Sequence, residues 1–410
     1  MLDMVIKNVR LFPDTTQTRD IAVSGSQFAE MAARITQPAR VIIDAAGDIA
    51  VPGFVDAHTH LDKALLMDRI PNTSGTLKEA IINTNAYLKT ASVDDFIARG
   101  SAALRMALAN GTTYLRTHVS INPDLGLTAF HATLKLKAMF ADRLRLDIVA
   151  FPSAHRQPLT GSYLELVETA LASGADTLGG CPNLMPDHAA FIDTLFELAA
   201  RHACPIDCHV DESDDPDVRA LEYLADATMR LGWQGKVTAG HCTALAVVDD
   251  ATAARVIAKV RAADITIVTL PSANLFLMGR ATGHPKRRGT TRIDELLASG
   301  VNVAAASDNL RDPFRPFGNF DLTEEALLTG QLAQMGKPAD FPVLLSMISY
   351  NAAKALGLND YGFRPGYPAT LTLLASQSVT EAIIGRPAKR LVMQAGLVNG
   401  GNTVHQQTSR

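Results

Sequence analysis

Short apolar runs and longer amphipathic stretches alternate through the middle of the chain. The runs are rich in Val, Ile and Ala: "AVPGFVDAHTH", "TTYLRTHVS", "RLDIVAFPS", "ADTLGGCP", "PIDCHVDE", "KVTAGHC", "ITIVTLPS" and "VNVAAASDN". Between them lie segments with helical spacing, such as "VDDFIARGSAALRMALANG" and "DHAAFIDTLFELAARHA". A glycine just before the next run closes several helices, as in "ANGTTY", "ASGADT" and "ASGVNV". Eight strands alternating with helices predict a (β/α)₈ barrel of the TIM type. A doubly wound open sheet is the competitor, but no GxGxxG follows a strand, so its dinucleotide-binding form loses support. The chain ends read differently. "MVIKNVRLF", "DIAVSGS" and "RVIIDAAGDIAV" at the start, and "PATLTLLAS" and "KRLVMQAGLVNGG" at the end, repeat near period two between turn residues. We expect residues 1–50 and 360–410 to build one small β domain around a barrel spanning 51–359.

Composition narrows the class. The 410 residues are 47% hydrophobic and 20% charged with a net charge of −4, the balance of a globular protein. That charge gives no basic surface for nucleic acid, and no run is apolar and long enough to span a membrane. The basic stretch "HPKRRGTTR", 284–292, reads as a solvated loop. The first residues, "MLDMVIKNVRLF", are too short and too charged for a signal peptide. Four cysteines without a CxxC pair suggest a reduced, cytoplasmic protein with no thiolate zinc site.

The polar residues gather where a barrel would want them. His58 and His60 end the first run, His118 the second, His209 the fifth, His241 the sixth and Asp308 the eighth. In a barrel, the C-terminal strand ends form the active face. Residues i and i+2 of a strand point the same way, so His58 and His60 share a face. Two such imidazoles can hold one divalent ion, with His209 entering from across the barrel and Asp308 closing the set. Three nitrogens and one oxygen suit Zn²⁺ or Fe²⁺ better than Ca²⁺ or Mg²⁺. Such an ion would acidify a water, and Asp308 or His241 would take its proton. Glu212, three residues after His209, lies past the strand, where a carboxyl group can pass a proton to a substrate nitrogen. His118 and His188 read as structural, and His131, His202 and His405 as surface or helix residues. Cys208 and Cys242 read as packing beside ligands, and Trp233 carries no assigned role.

At these residues the chain resembles a known family. "PGFVDAHTHLDK", "LRTHVS", "DIVAFP", "DCHVDE", "VTAGH", "PKRRGTTRIDELLASGVNV" and "ASDNLRDPFRPFGN" are similar to the amidohydrolase superfamily, in the bacterial cytosine deaminase branch that includes N-isopropylammelide amidohydrolase. The resemblance covers nearly the whole chain. It implies a barrel with a small β-sandwich made from both termini, and one metal ion, zinc or iron, on His58, His60, His209 and Asp308. It implies Glu212 and His241 as the acid/base pair, and a homo-oligomer. The modified lysine that two-metal members place on strand four has no counterpart in "ADTLGGCP".

The resemblance breaks where substrate is read. A glutamine that follows "VAFP" in the cytosine enzymes is replaced here by Ser153, which lacks a paired donor and acceptor. Gln157 or His155 are the substitutes the sequence offers. Asn309 stands where the cytosine enzymes carry a second aspartate and looks like the ammelide enzyme, yet that enzyme lacks the counterpart of Glu212. Leu77, Phe276, Leu277 and Phe314, in and near the loops 61–77 and 271–289, offer apolar contacts to a flat ring. The expected reaction is hydrolytic deamination of a small nitrogen heterocycle: a cytosine-like pyrimidine, a purine or a triazine. Cleavage of a cyclic amide or release of an alkylamine is the alternative, and an inactive binding protein a third.

Overall fold

The computed structural model describes residues 1–410 except 155, 281–286, 288, 401–406 and 409–410. Eight parallel strands pair in sequence order: β1 (Phe54–Thr59), β2 (Thr112–Ile121), β3 (Arg145–Pro152), β4 (Thr177–Gly180), β5 (Ile206–Val210), β6 (Val237–His241), β7 (Thr266–Thr269) and β8 (Val303–Ala305). Thr59 bridges in parallel to Asp308, and the Asp308 N–H donates to the His58 carbonyl at 2.9 Å. This contact draws the last strand against the first and closes the barrel. The competing open sheet is thereby excluded.

The strands form because both faces of each are covered. Every residue of β1, β2, β5 and β6 is buried, as expected where helices pack outside and side chains fill the inside. The helices stop at the glycines that the pattern marked. Gly111, Gly174 and Gly300 take φ of 90°, 114° and 80°, a region costly for any residue with a Cβ. Their starts are capped by short polar side chains: Ser92 accepts from the Asp95 N–H, Asp187 from Ala190 and Asp249 from Thr252.

The barrel interior is polar below its mouth. Arg116 of β2 is buried and donates to Asp207 of β5 at 2.8 Å, to Asp147 of β3 at 3.1 Å and to the Ala355 carbonyl at 3.3 Å. Its neighbours at period two on the same strand, His118 and Ser120, continue that inner face upward.

Both chain ends build a second sheet. Leu2–Leu11, Thr18–Ser24, Gln27–Ala32, Ala39–Asp44 and Ile49–Val51 join Leu371–Leu374, Lys389–Gln394, Leu397–Gly400 and Gln407–Thr408. The termini meet where Ile49–Val51 pairs antiparallel with Leu371–Leu374. Ile6, Ile21, Phe28, Leu371 and Met393 are among the residues packed on its apolar face. The Thr372 hydroxyl donates to the Gly111 carbonyl at 2.8 Å, and Tyr361 to the Gly53 carbonyl at 2.6 Å, tying sheet to barrel.

One detail departs from the sequence reading. Of the basic stretch, Arg292 is anchored rather than solvated. It donates to the carbonyls of Leu245 and Val248 and pairs with Asp250 and Glu295. Residues 284–286 and 288 lie outside the described residues, as do His155 and His405. The four cysteines are free and buried, and among the described residues no helix is long and apolar enough to cross a membrane.

Candidate active site

The four expected ligands converge at the mouth. The Nε2 of His209 lies 3.0 Å from that of His60 and 3.2 Å from that of His58. Asp308 Oδ1 lies 3.4 Å from His60 Nε2 and 3.7 Å from His58 Nε2. Donor atoms about 2.0–2.1 Å from one tetrahedral ion stand roughly 3.3 Å apart, so the observed spacing brackets that of a shared ion. Hydrogen bonding among the rings does not explain the cluster. Burial, together with neighbouring cationic or imidazole groups, holds His58, His60 and His209 well below the usual imidazole range, so each is neutral. Asp308 Oδ1 is buried with no hydrogen-bond partner. Neutral nitrogens facing one another around an orphaned carboxylate oxygen are what a cation would satisfy. The residues therefore fit a metal ion.

Surrounding groups set the ring orientations. The His118 carbonyl lies 3.2 Å from His60 Nδ1, and accepting that proton leaves the Nε2 lone pair for an ion. The His118 ring lies 4.0 Å from His58, centroid to centroid, and its Nε2 is 3.3 Å from Asp207 Oδ1. His118, read as structural from sequence, thus sits directly against the cluster and links it to the Arg116 network. Gly240 of β6 leaves room for His58, since a Cβ there would lie 2.9 Å from His58 Cε1.

Backbone turns decide which residues at the strand ends enter the site. Asp211, His241 and Asp308 adopt φ of 51°, 68° and 58°. Left-handed backbone is tolerated by Asp and His and concentrates at functional sites. At His241 the turn rotates the ring inward, so that His58, His209, His241 and Asp308 each place one donor atom within 4.8 Å of the others. Asn274 Nδ2 lies 3.0 Å from His241 Nδ1, leaving the buried Nε2 without a partner. Burial brings His241 down to about 4 against the opposing pull of Asp308. The turn after β5 directs the Asp211 carboxylate to the N–H groups of Ala220 and Leu221, so that residue starts a helix. Asp56 is likewise spent on Ser307, and Asp62 on the Ser120 N–H.

The turn also places Glu212 over the mouth. Its Oε1 is 3.5 Å from His241 Nδ1 and its side chain is 9% exposed. Burial first, then the Asp308 charge, pushes its carboxyl up to about 8, while Lys63 opposes. Glu212 is thus held in its acid form at neutral pH.

These groups open into one pocket of about 760 Å³ including its open mouth. His60, His209, His241, Asp308 and Glu212 line one side, and Ser153, Asn309, Leu77 and Phe314 lie in the walls. Ser153 is already engaged by Asn122 at 3.1 Å, and the Asn309 amide by Asp312 at 2.8 Å. Phe276 and Leu277 pack behind Leu77 and Phe314 rather than forming wall. Gln157 is a correction to the sequence reading: it is exposed and does not line the pocket, because the chain turns outward at Arg156 with φ of 58°.

Sequence reasoning missed Lys63. Its Nζ lies 5.1 Å from the Phe314 ring centroid, 5.9 Å from that of Phe151 and 3.2 Å from His60 Nδ1, and the residue is 8% exposed. When His60 Nδ1 gives its proton to the His118 carbonyl, this ammonium is left to face the pocket. Its position two residues before Leu65, whose φ of 60° turns the chain back, carries no signal in a pattern of apolar and polar residues.

Fold and site together define a barrel enzyme whose mouth is built to hold a metal ion. Residues 99–395 match the profile of the amidohydrolase family, and the chain belongs to that family. It is 33% identical over 384 residues to a pterin deaminase of Rhizobium rhizogenes, covering 92% of this chain and 87% of the relative. It is 28% identical to an N-isopropylammelide isopropyl amidohydrolase of a Pseudomonas species, covering 97% and 96%. The crystal structure of a 5-methylcytosine deaminase from Klebsiella pneumoniae liganded with 5-fluorocytosine superposes with a TM-score of 0.93 at 31% identity, covering 98% of each chain.

Proposed function

We propose that this protein is a mononuclear, metal-dependent aminohydrolase that exchanges the amino group of a flat nitrogen heterocycle for oxygen and releases ammonia. The observation that carries the reading is the place of Glu212: a buried carboxyl group 3.5 Å from His241, in the wall of the pocket that ends on His60, His209 and Asp308. The metal ligands are His58, His60, His209 and Asp308. Three imidazoles and a carboxylate suit zinc or ferrous iron. When bound, such an ion supplies Lewis acidity that lowers the pKa of a coordinated water.

The chain's own groups move the protons. Asp308 accepts one from the attacking water. Glu212 gives one to the ring nitrogen next to the amino-bearing carbon, so that negative charge does not build up in the ring as the new C–O bond forms. His241, oriented by Asn274, donates from Nε2 to hold the incoming oxygen in line. The proton on Asp308 then passes to the amino group; as the C–N bond breaks, the remaining hydroxyl proton passes to Glu212 and restores its acid form, leaving ammonia and a ring carbonyl. Lys63 lies where it can hold an oxo group already on the ring. Two of the three relatives above, a pterin deaminase and a 5-methylcytosine deaminase, bear names consistent with this exchange.

Release of an alkylamine is the second reading, favoured by the similarity to the ammelide enzyme along the chain. A panel of amino- and alkylamino-substituted pterins, pyrimidines, purines and triazines, read for ammonia and for alkylamine, tests the proposal. Ammonia release from at least one ring supports it, and release of alkylamine alone refutes it.

A further inference from the structure

The far wall of the pocket is one face of the helix Leu77–Leu88, and one side chain on it behaves unlike its peers. Leu77, Ile81, Thr84 and Asn85 line the pocket, at the spacing of a single helical stripe. Five threonines inside other helices bond back to the carbonyl four residues earlier: Thr133 to Ala129, Thr169 to Glu165, Thr194 to Ala190, Thr228 to Leu224 and Thr329 to Glu325, all at 2.7–2.9 Å. Such back-bonding is the default for a helical hydroxyl with no other partner. Thr84 does not make it. Its Oγ1 is buried with no hydrogen-bond partner, in a residue 1% exposed. The Asn85 amide beside it also has none among the described residues. A polar atom left so at the wall of an open pocket is costly unless a ligand completes it.

We infer that this stripe is a specificity subsite that reads the edge of a second fused ring on the substrate. The inference rests on the deaminase reading above and names its substrate class: a bicyclic amino-oxo heterocycle with acceptor nitrogens on the ring away from the hydrolysed carbon. Leu77 and Ile81 give the second ring apolar contact. Thr84 donates to a ring nitrogen, and Asn85 supplies a further donor or acceptor at the same edge. A single six-membered ring held against the metal ligands brings no second edge to Thr84, whose buried hydroxyl stays unsatisfied. A branched alkyl substituent, which brings no acceptor, leaves it so too.

The test uses the zinc-loaded protein and two matched pairs of compounds. 2-Amino-4-oxopteridine and 2-amino-4-oxopyrimidine share the reacting ring, and pteridine-2,4-dione and pyrimidine-2,4-dione are the corresponding products. Calorimetry on the diones and ammonia release from the amines are measured for wild type, Thr84→Val and Thr84→Ser. We expect wild type to bind the two-ring dione at least tenfold tighter than the one-ring dione. That preference should fall at least tenfold in Thr84→Val and largely survive in Thr84→Ser, which keeps the hydroxyl. A preference that is absent from wild type, undiminished in Thr84→Val, or equally lost in Thr84→Ser overturns the subsite. Failure to bind either dione overturns it as well. A dione preference that behaves as expected, with no ammonia released from these amines or from any other ring of the panel above, supports the subsite and refutes the deaminase reading instead.

Discussion

Glu212 concentrates the cost and the use of this site in one side chain. A carboxyl pushed up to about 8 by burial takes up a proton on folding wherever the unfolded chain has already lost it. Folded-state stability therefore falls as pH rises from about 4.5 to about 8, and the penalty is complete above that range. Glu212→Gln removes it. In metal-free protein the melting temperature of the variant should gain on wild type across that window and run parallel outside it, measured by calorimetry in matched buffers. The same substitution should lower turnover by at least ~10²-fold with the metal still bound, as loss of a proton donor does. Gly240→Ala probes the opposite wall. A Cβ placed 2.9 Å from His58 Cε1 must displace that ring, so metal affinity should drop at least about tenfold in a competition titration while circular dichroism is unchanged. His58 and His60 were readable at period two, and His209, His241 and Asp308 from their places at the ends of apolar runs. The left-handed turns that aim His241 and Asp308 are not encoded by periodicity. Lys63 was invisible for a different reason: nothing in its neighbours' polarity announces a buried ammonium between Phe151 and Phe314.

At the scale of elements, the eight strands stand out in the sequence because both of their faces are covered, which concentrates Val, Ile and Ala into short runs. Polar residues inside the barrel run against that logic. "LRTHVS" reads as an ordinary strand with a histidine at its end, yet Arg116 is the hub that joins β2, β3 and β5. Removing the guanidinium leaves Asp147 and Asp207 facing each other without their cation. Arg116→Met should therefore destabilise the protein by about 3–5 kcal/mol, as breaking buried ion pairs does, read as a lower midpoint in urea. The helix Leu77–Leu88 was hidden in the same way. Its first residue, Leu77, was read as the end of a loop, although Thr76 caps the helix by accepting from the Glu79 N–H and Glu79 accepts from Thr73 and Ser74. That capping fixes the stripe that faces the metal ligands.

For the whole molecule, closure matters most. The hydrogen bond from the Asp308 N–H to the His58 carbonyl joins the first and last strands at the residues proposed to share an ion. The ion would thus also clasp the barrel, and chelation should lower the melting temperature, with recovery on adding zinc or ferrous iron. The sheet made from both termini was legible from the likeness of its two ends. Its order, with Leu371–Leu374 set against Ile49–Val51, was not, because antiparallel pairing between segments so distant in sequence leaves no local trace. The most direct test of the central claim is elemental analysis of purified protein and its His209→Ala variant, dialysed against the same metal-limited buffer. The claim predicts one equivalent of zinc or iron per chain in wild type and under a tenth of that in the variant. Equal metal in both, or none in wild type even after reconstitution, would contradict it.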